Sequence, residues 1–409
     1  MTRLLKLAWR DVWRNRRRTL ITMSAIVFSV LLITLAKSSA DGTYDIMEAR
    51  LVQLFVGDIQ IHRRGFDEEH TLEYSMSTDE LDADVLASAY PWVTDWTRRL
   101  SGFGLASSDS SSAGTMIVGI EPKREYALSR LVQSVRTGRI LGEKDHMSIL
   151  LGETLAHNLS VSPQDSIVVI TQGYQNVMGA EVYGVAGLIR TGNPDLDRGI
   201  MIMTLPAAQG LFTMPERFTE LILRTDALHR AETRAQDIAV DRAQYEVMSW
   251  RALMPELGQM RQLDEAGNYV FYLFLLLLIG FEIFNTTTMS MMERVREFGV
   301  MMAMGLKPRQ ISLLVIMELF IKVALAVVVG ALLSMVLATI LADNPIPLSA
   351  DMQSMYEDLG FGIDGIYFSG RFGILVFPVV SVFLITVLSM LYPVVKLQRF
   401  SPVAALRNL

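Results

Sequence analysis

The sequence predicts a membrane protein with four transmembrane α-helices and a large α+β extracytoplasmic domain inserted between helices 1 and 2. Three observations predict this. Hydrophobic residues make up 51% of the 409-residue chain, and they concentrate near residues 20–36, 269–292, 311–342 and 372–395. Each stretch has about the ~20 residues a helix needs to cross a ~30 Å hydrocarbon core. Between Asp41 and Gly267 the composition is that of a soluble domain. The short segments between and beside the apolar stretches divide by charge.

That division sets the topology, because short loops rich in Lys and Arg stay in the cytoplasm. Residues 1–19 carry Arg3, Lys6, Arg10, Arg14, Arg16, Arg17 and Arg18 against one acid, Asp11. The 293–310 segment carries Arg294, Arg296, Lys307 and Arg309, and the tail at 396–409 carries Lys396, Arg399 and Arg407 without an acid. The 343–370 segment carries Asp343, Asp351, Glu357, Asp358 and Asp364 without a base. The expected order is therefore a cytoplasmic helix at 1–19, spans at 20–40, 268–292, 311–342 and 371–395, and cytoplasmic ends. The 41–267 domain and the 343–370 loop lie on the far side.

The leading residues are amphipathic at helical spacing, with Leu5, Trp9 and Trp13 on one face and bases around them. They read as an interfacial helix on anionic headgroups, or equally as a topology-setting charge cluster. The first apolar stretch reads as an uncleaved anchor, because it is long for a signal peptide and no clean A-x-A site follows.

Within 41–267, strand-like runs occur at Gly57–His62, Thr115–Ile120, 166–171, 181–189 and 199–204. Short helical pieces at 153–161 and 205–212 separate some of them. Residues 101–115, rich in Ser and Gly, read as a mobile loop. The expected domain has two lobes, one from both ends of the segment and one inserted. No catalytic motif is present: no GxSxG, no P-loop and no metal-binding spacing. The chain has no cysteine and five histidines without ligand spacing. Asp195 and Asp197 sit in a Gly/Pro turn and read as turn chemistry.

The 293–310 segment leaves an apolar setting, shows mixed charge and returns. Its composition forms helix, and Gly305 followed by Lys-Pro stops it. Exposed apolar residues beside charge read as a docking site. Glu282, Glu318 and Lys322 lie inside spans, where charges are costly and need partners. Glu282 and Lys322 each fall about 10 residues from the cytoplasmic end of their helix, near ~15 Å depth at ~1.5 Å per residue. They are expected to pair with each other; Glu318, at i,i+4 to Lys322, is the alternative partner.

"NTTTMSMMERVREFGVMMAMGLKPRQI" (285–311) resembles the signature of the FtsX-like, MacB-type (type VII) ABC transporter permeases. Asn285, Thr286, Glu293, Arg294, Glu297, Phe298, Gly299, Val300, Ala303, Met304 and Gly305 fit that pattern. "LAWRDVWRNRRRT" resembles the family's leading helix. "YPVVKLQRFSPVAALR", with Pro402, Ala405, Leu406 and Arg407, resembles its exit. "GDIQIH" and "TGNPDLDRGIMIMTLPAAQGLF" resemble the lipoprotein-releasing LolC/LolE-type members.

The resemblance implies a non-catalytic inner-membrane subunit that binds no cofactor itself. ATP and Mg belong to a separate cytoplasmic ATPase, consistent with the missing GxxxxGK[ST] motif. It implies a coupling helix docked on that ATPase through Glu293, Arg294, Glu297, Phe298, Gly299, Met301, Met302, Met304 and Gly305. Met301 and Met302 stand where the family often has bases, which implies a more apolar contact. The resemblance implies a second permease subunit, identical or paralogous, and transmission of motion across the membrane without polar cargo crossing it. It implies a lipoprotein or other amphiphile as cargo, a periplasmic carrier, surrounding membrane lipids, and no nucleic acid. Cargo contacts would map to Ile46, Met47, Val52, Tyr269, Phe271 and Tyr272, whose aromatics equally fit an interface belt.

Two other functions compete within the family. Tripartite efflux relatives usually carry a fused N-terminal ATPase, and this chain starts at its leading helix. Signal-transmitting relatives that switch on a periplasmic hydrolase tend to have smaller external domains.

Overall fold

The computed structural model describes residues 2–358 and 362–398. The family-like exit residues Pro402, Ala405, Leu406 and Arg407 lie outside the described residues, as does Arg399. The chain divides into two compact units: residues 1–44, 261–347 and 365–409 form one, and residues 45–260 and 348–364 form the other.

The first unit is helical. Its elements are α1 (Thr2–Arg14), α2 (Arg16–Leu51) as far as Tyr44, α3 (Pro255–Glu293) from Arg261, α4 (Val295–Ala303), α5 (Pro308–Asp343) and α6 (Val376–Gln398). Among the described residues, four helices are long and apolar enough to cross a membrane: α2, α3, α5 and the one that includes α6. α2 continues to Leu51 and α3 begins at Pro255, so both outrun the spans expected at 20–40 and 268–292. Polar helical residues extend the rods beyond the apolar stretch, and composition counts only the apolar part.

Ile26, Val30 and Ile33 of α2 pack in one cluster with Ile279 and Ile283 of α3, Val315 and Val323 of α5, and Val382 of α6. In lipid the hydrophobic effect does not drive helices together, so close approach matters. At Gly330 of α5 an added Cβ would lie 3.0 Å from Val30 Cβ and 3.2 Å from the Val27 carbonyl. Glycine there lets α5 approach α2.

α1 is amphipathic as expected. Ala8 and Val12 are fully buried, whereas Trp9 and Trp13 are exposed, their rings 6.1 Å apart edge to face. The Leu5 side chain lies outside the described residues.

The second unit is built on one ten-stranded sheet. Its strands are β1 (Ile59–Arg63), β2 (Val93–Ser107), β3 (Ser112–Ile120), β4 (Val135–Gly138), β5 (Ser148–Gly152), β6 (Ser166–Gln172), β7 (Met178–Ile189), β8 (Ile200–Thr204), β9 (Glu220–Thr225) and β10 (Tyr245–Ser249). The order is β10-β1-β9-β2-β3-β8-β5-β7-β4, with β6 pairing β2 and β7. The pairs β3–β8 and β5–β7 are parallel and the others antiparallel.

The cores under this sheet separate by sequence. Val52, Ile59, Trp96, Leu221 and Trp250 belong to a cluster from the two ends of the segment. Leu100, Ile149, Ile167, Met201 and Phe212 belong to a cluster from its middle. Arg99 and Glu125, both fully buried, form an ion pair, with Arg99 Nε donating to Glu125 Oε2 at 3.0 Å. Arg99 also donates to the carbonyl of Phe55, in the single π turn Val52–Val56 that follows α2. That turn is thereby tied to the sheet within the second unit.

The stretch expected to be a mobile loop is instead a hairpin. Residues 101–107 finish β2, 112–115 begin β3, and Ser107 stands opposite Ser112. Its glycines answer crowding. A Cβ on Gly102 would lie 2.6 Å from the Phe212 ring, and one on Gly104 would lie 2.9 Å from the Ile170 carbonyl. Small residues there let the neighbouring strand and helix close up.

Candidate functional site

The charged segment between the second and third long helices is the candidate site. α3 stops at Glu293 because Arg294 leaves helical geometry, with φ −99° and ψ 4°. α4 ends at Ala303, and Gly305 turns the chain with φ +98°. That left-handed conformation strains every residue with a Cβ. Pro308 opens α5 at a position where a helix needs no N–H.

Arg294 is the centre of a charge network. Its Nη2 donates to Asp11 Oδ2 of α1 at 2.7 Å, its Nη1 to Glu318 Oε2 of α5 at 2.8 Å, and its Nε to Glu297 Oε2 of α4 at 3.2 Å. Lys322 Nζ donates to the other oxygen of Glu318 at 2.7 Å. Arg14 Nη2 donates to Glu297 at 2.6 Å, Arg18 Nη1 to Glu293, and Arg18 Nη2 to the Thr286 carbonyl at 3.0 Å. A planar guanidinium with five donors suits such shared recognition; a lysine could not hold the same three carboxylates in one plane. The Arg294 and Glu318 side chains are 15% and 7% exposed, so each charge depends on its partners. The Arg14 hydrogen bond holds the Glu297 carboxyl below its usual range, with Arg294 adding to the effect.

One expected pair is corrected here. Lys322 pairs with Glu318 and not with Glu282. Ile279 and Ile283 mark the buried face of α3, and Glu282 is one residue round from it, on an exposed face. An equal count of residues from the helix ends did not put the two side chains on facing sides.

The nine residues expected to dock an ATPase divide between two faces of the segment. Phe298 is 1% exposed and Gly299 is buried, while Met301 and Met302 pack against the membrane cluster. These four turn inward, because 298, 301 and 302 share one face of α4 and that face is covered by the long helices. Glu293, Glu297, Met304 and Gly305 are exposed, and Arg294 is half-buried in its network. Arg296 and Val300 join the exposed side, giving a stripe of Arg296, Glu297, Val300 and Met304 at helical spacing, with exposed Glu293 before the break at Arg294. Asp11, Arg14 and Arg18 are the network members that sequence reasoning did not single out. Asp11, as the lone acid among seven bases, was the available signal.

The six cargo candidates also divide. Met47 and Val52 are buried in the α+β unit and Ile46 is half-buried. Tyr272 is buried in the helical unit, edge to face with Tyr269 and tilted against Phe377. Tyr269 and Phe271 are exposed. Asp197 accepts hydrogen bonds from the Thr191 amide and hydroxyl at 2.8 and 2.7 Å, which is turn chemistry. His62 is a core histidine, with Nε2 2.8 Å from Gln60 Oε1.

The MacB-like periplasmic core domain family matches residues 19–239, and the FtsX-like permease C-terminal family matches residues 269–402. Two lipoprotein-releasing system transmembrane proteins LolC, from Xylella fastidiosa strains Temecula1 and 9a5c, are each 24% identical over 305 residues, 71% of this chain and 72% of the relative. Among solved structures, the periplasmic region of MacB from Actinobacillus actinomycetemcomitans is 12% identical, with TM-score 0.35, covering 53% of this chain and 95% of its own. The extracellular domain of the noncanonic ABC-type transporter YknZ from Gram-positive bacteria is 12% identical, with TM-score 0.34, covering 47% of this chain and 99% of its own. The core-domain match alone takes in more than half of the sequence, and the two matches run almost end to end: the chain belongs to the FtsX-like, MacB-type family of ABC transporter permeases.

Proposed function

We propose that this chain is the inner-membrane subunit of a mechanotransmission ABC transporter that extracts lipoproteins, with both ends cytoplasmic and the α+β unit periplasmic. A separate ATPase binds ATP and Mg and docks on the exposed stripe of α4. The observation that carries the reading is Arg294. It joins α4 to α1 through Asp11 and to α5 through Glu318, so a displacement of α4 is passed to both. α2 and α3 are unbroken helices that carry motion onward.

A second permease subunit covers the exposed face of α3. Glu282 and Asn285 are both exposed there, one turn apart, and a carboxylate facing hydrocarbon costs several kcal/mol unless it is paired. Tyr269 and Phe271 are the outward residues available to acyl chains. The lipoprotein reading is supported by the names of the LolC relatives.

The test is ATP-dependent release. The chain and its ATPase are reconstituted in liposomes loaded with a triacylated lipoprotein, and a soluble carrier is added. Release that needs ATP and is lost in Val300→Asp/Met304→Asp supports the reading. ATP turnover without release overturns lipoprotein extraction and favours efflux or signalling.

A further inference from the structure

The α+β unit contains a cavity of about 650 Å3 that no part of the transport reading uses. That is within the usual size of ligand sites, roughly 300–1,000 Å3. Four arginines line it: Arg50, Arg130, Arg136 and Arg190. They come from four separate segments: the last turn of α2, the loop after the helix Pro122–Leu128, strand β4, and the loop after β7.

The walls are fixed by main-chain contacts. The Arg130 amide donates to the Gln53 carbonyl at 2.9 Å, and the Arg190 amide to the Ser134 carbonyl at 3.0 Å. Two of the arginines have acids. Arg50 donates to Asp364 at 2.8 Å and to the Gly362 carbonyl at 2.6 Å, and Arg190 lies 3.7 Å from Glu153. Among the described lining residues Glu153 is the one carboxylate, and Asp364 accepts from Arg50 beside them. No ion pair joins Arg130 or Arg136 to an acid among the described residues, and both are exposed. Among the described residues the cavity is thus lined by more arginines than carboxylates. Polar Gln133, Ser134 and Thr191 stand beside them as further hydrogen-bonding groups.

We propose that this cavity binds a phosphate-bearing anion. Guanidinium groups match phosphate oxygens through paired N–H donors, and a carboxylate-poor, arginine-rich pocket favours a group with at least one full negative charge. Two sources carry that chemistry: a free phosphate, and the headgroup of an anionic lipid. Arg50 lies on the same continuous helix as the first membrane span. The lipid source rests on the periplasmic topology proposed above; the anion site itself does not.

The experiment uses the full chain in nanodiscs made of equal phosphatidylglycerol and phosphatidylcholine, then released for native mass spectrometry. In parallel, inorganic phosphate is titrated calorimetrically against the detergent-purified chain. Preferential retention of phosphatidylglycerol, lost in Arg130→Gln/Arg136→Gln, assigns the lipid source. Phosphate binding weakened in that variant by about tenfold for each arginine removed, without lipid preference, assigns the free anion. If the double variant unfolds, Arg136→Gln alone, at an exposed position on the edge strand, replaces it. Absence of both kinds of binding, or binding that these substitutions leave unchanged, overturns the proposal.

Discussion

Arg294 and Glu318 meet at 2.8 Å between the start of α4 and the body of α5, twenty-four residues apart in the chain. Removing one partner leaves a largely buried charge without compensation. Arg294→Ala is expected to destabilise the protein by on the order of 3 kcal/mol. The double variant with Glu318→Gln should lose less than the sum of the two single changes, because neither charge then remains stranded. Unfolding in detergent, read as a double-mutant cycle, checks this; strict additivity would mean the two residues are not coupled.

Lys322 takes its partner from its own helix, at 2.7 Å from Glu318. Exchanging the charges as Glu282→Lys with Lys322→Glu is therefore expected to fare no better than either single change. The measurement is thermal stability of the four proteins in one detergent. Rescue by the exchange would show that Glu282 and Lys322 do meet.

Glu297 gives the α1–α4 contact a pH dependence. Its carboxyl lies below the usual range in the folded protein, because Arg14 donates to it. A depressed carboxyl stabilises the fold above its unfolded value, about 4.3. That stability is lost as pH falls through the lower folded value. The Glu297 side chain is 44% exposed, so the term is small, below ~1 kcal/mol. Stability measured from neutral pH downward should fall less in Arg14→Gln than in the parent below about pH 4. Equal acid sensitivity would remove Arg14 from the account.

The four apolar spans were legible because apolar length is written in one dimension. The helix stop at Gly305 and Pro308 was legible for the same reason. Facing was not. Arg294 reaches Asp11 across 283 residues of sequence, and no local pattern encodes that. Glu282 was placed on the wrong side of its helix, since position along a helix follows from counting and orientation from packing. Phe298, Met301 and Met302 read as an exposed apolar surface. They turned inward because the covering helices are distant in sequence. The Ser/Gly-rich run at 101–115 misled in the opposite direction: composition signals flexibility, while Gly102 and Gly104 answer to neighbours that only the sheet order supplies.

That hairpin separates two kinds of glycine. A Cβ on Gly104 would meet Ile117 Cδ1 at 2.7 Å and the Ile170 carbonyl at 2.9 Å, whereas one on Gly114 would meet nothing within 4 Å. Gly104→Ala is expected to cost about 1–3 kcal/mol through overpacking. Gly114→Ala, on the facing strand, should be neutral or slightly stabilising, since alanine loses less chain entropy than glycine. Denaturant midpoints of the two variants decide the matter. Similar midpoints would return the segment to a flexible loop.

The two faces of α4 give the last test, because they separate folding from docking. Phe298 is buried in the helical unit, so Phe298→Ala should cost about 3–5 kcal/mol and reduce the yield of folded protein. Met304 is 70% exposed and packs against little of its own chain. Met304→Asp should leave the thermal midpoint within about 0.5 kcal/mol of the parent. It should, however, weaken co-purification with the ATPase, because it places a charge in an apolar contact. A variant at Met304 that unfolds the protein would show that α4 has no free face. One that folds and still captures the ATPase at full strength would move the docking surface away from Val300 and Met304. The exposed neighbours Arg296 and Glu293 would then be the residues to change next.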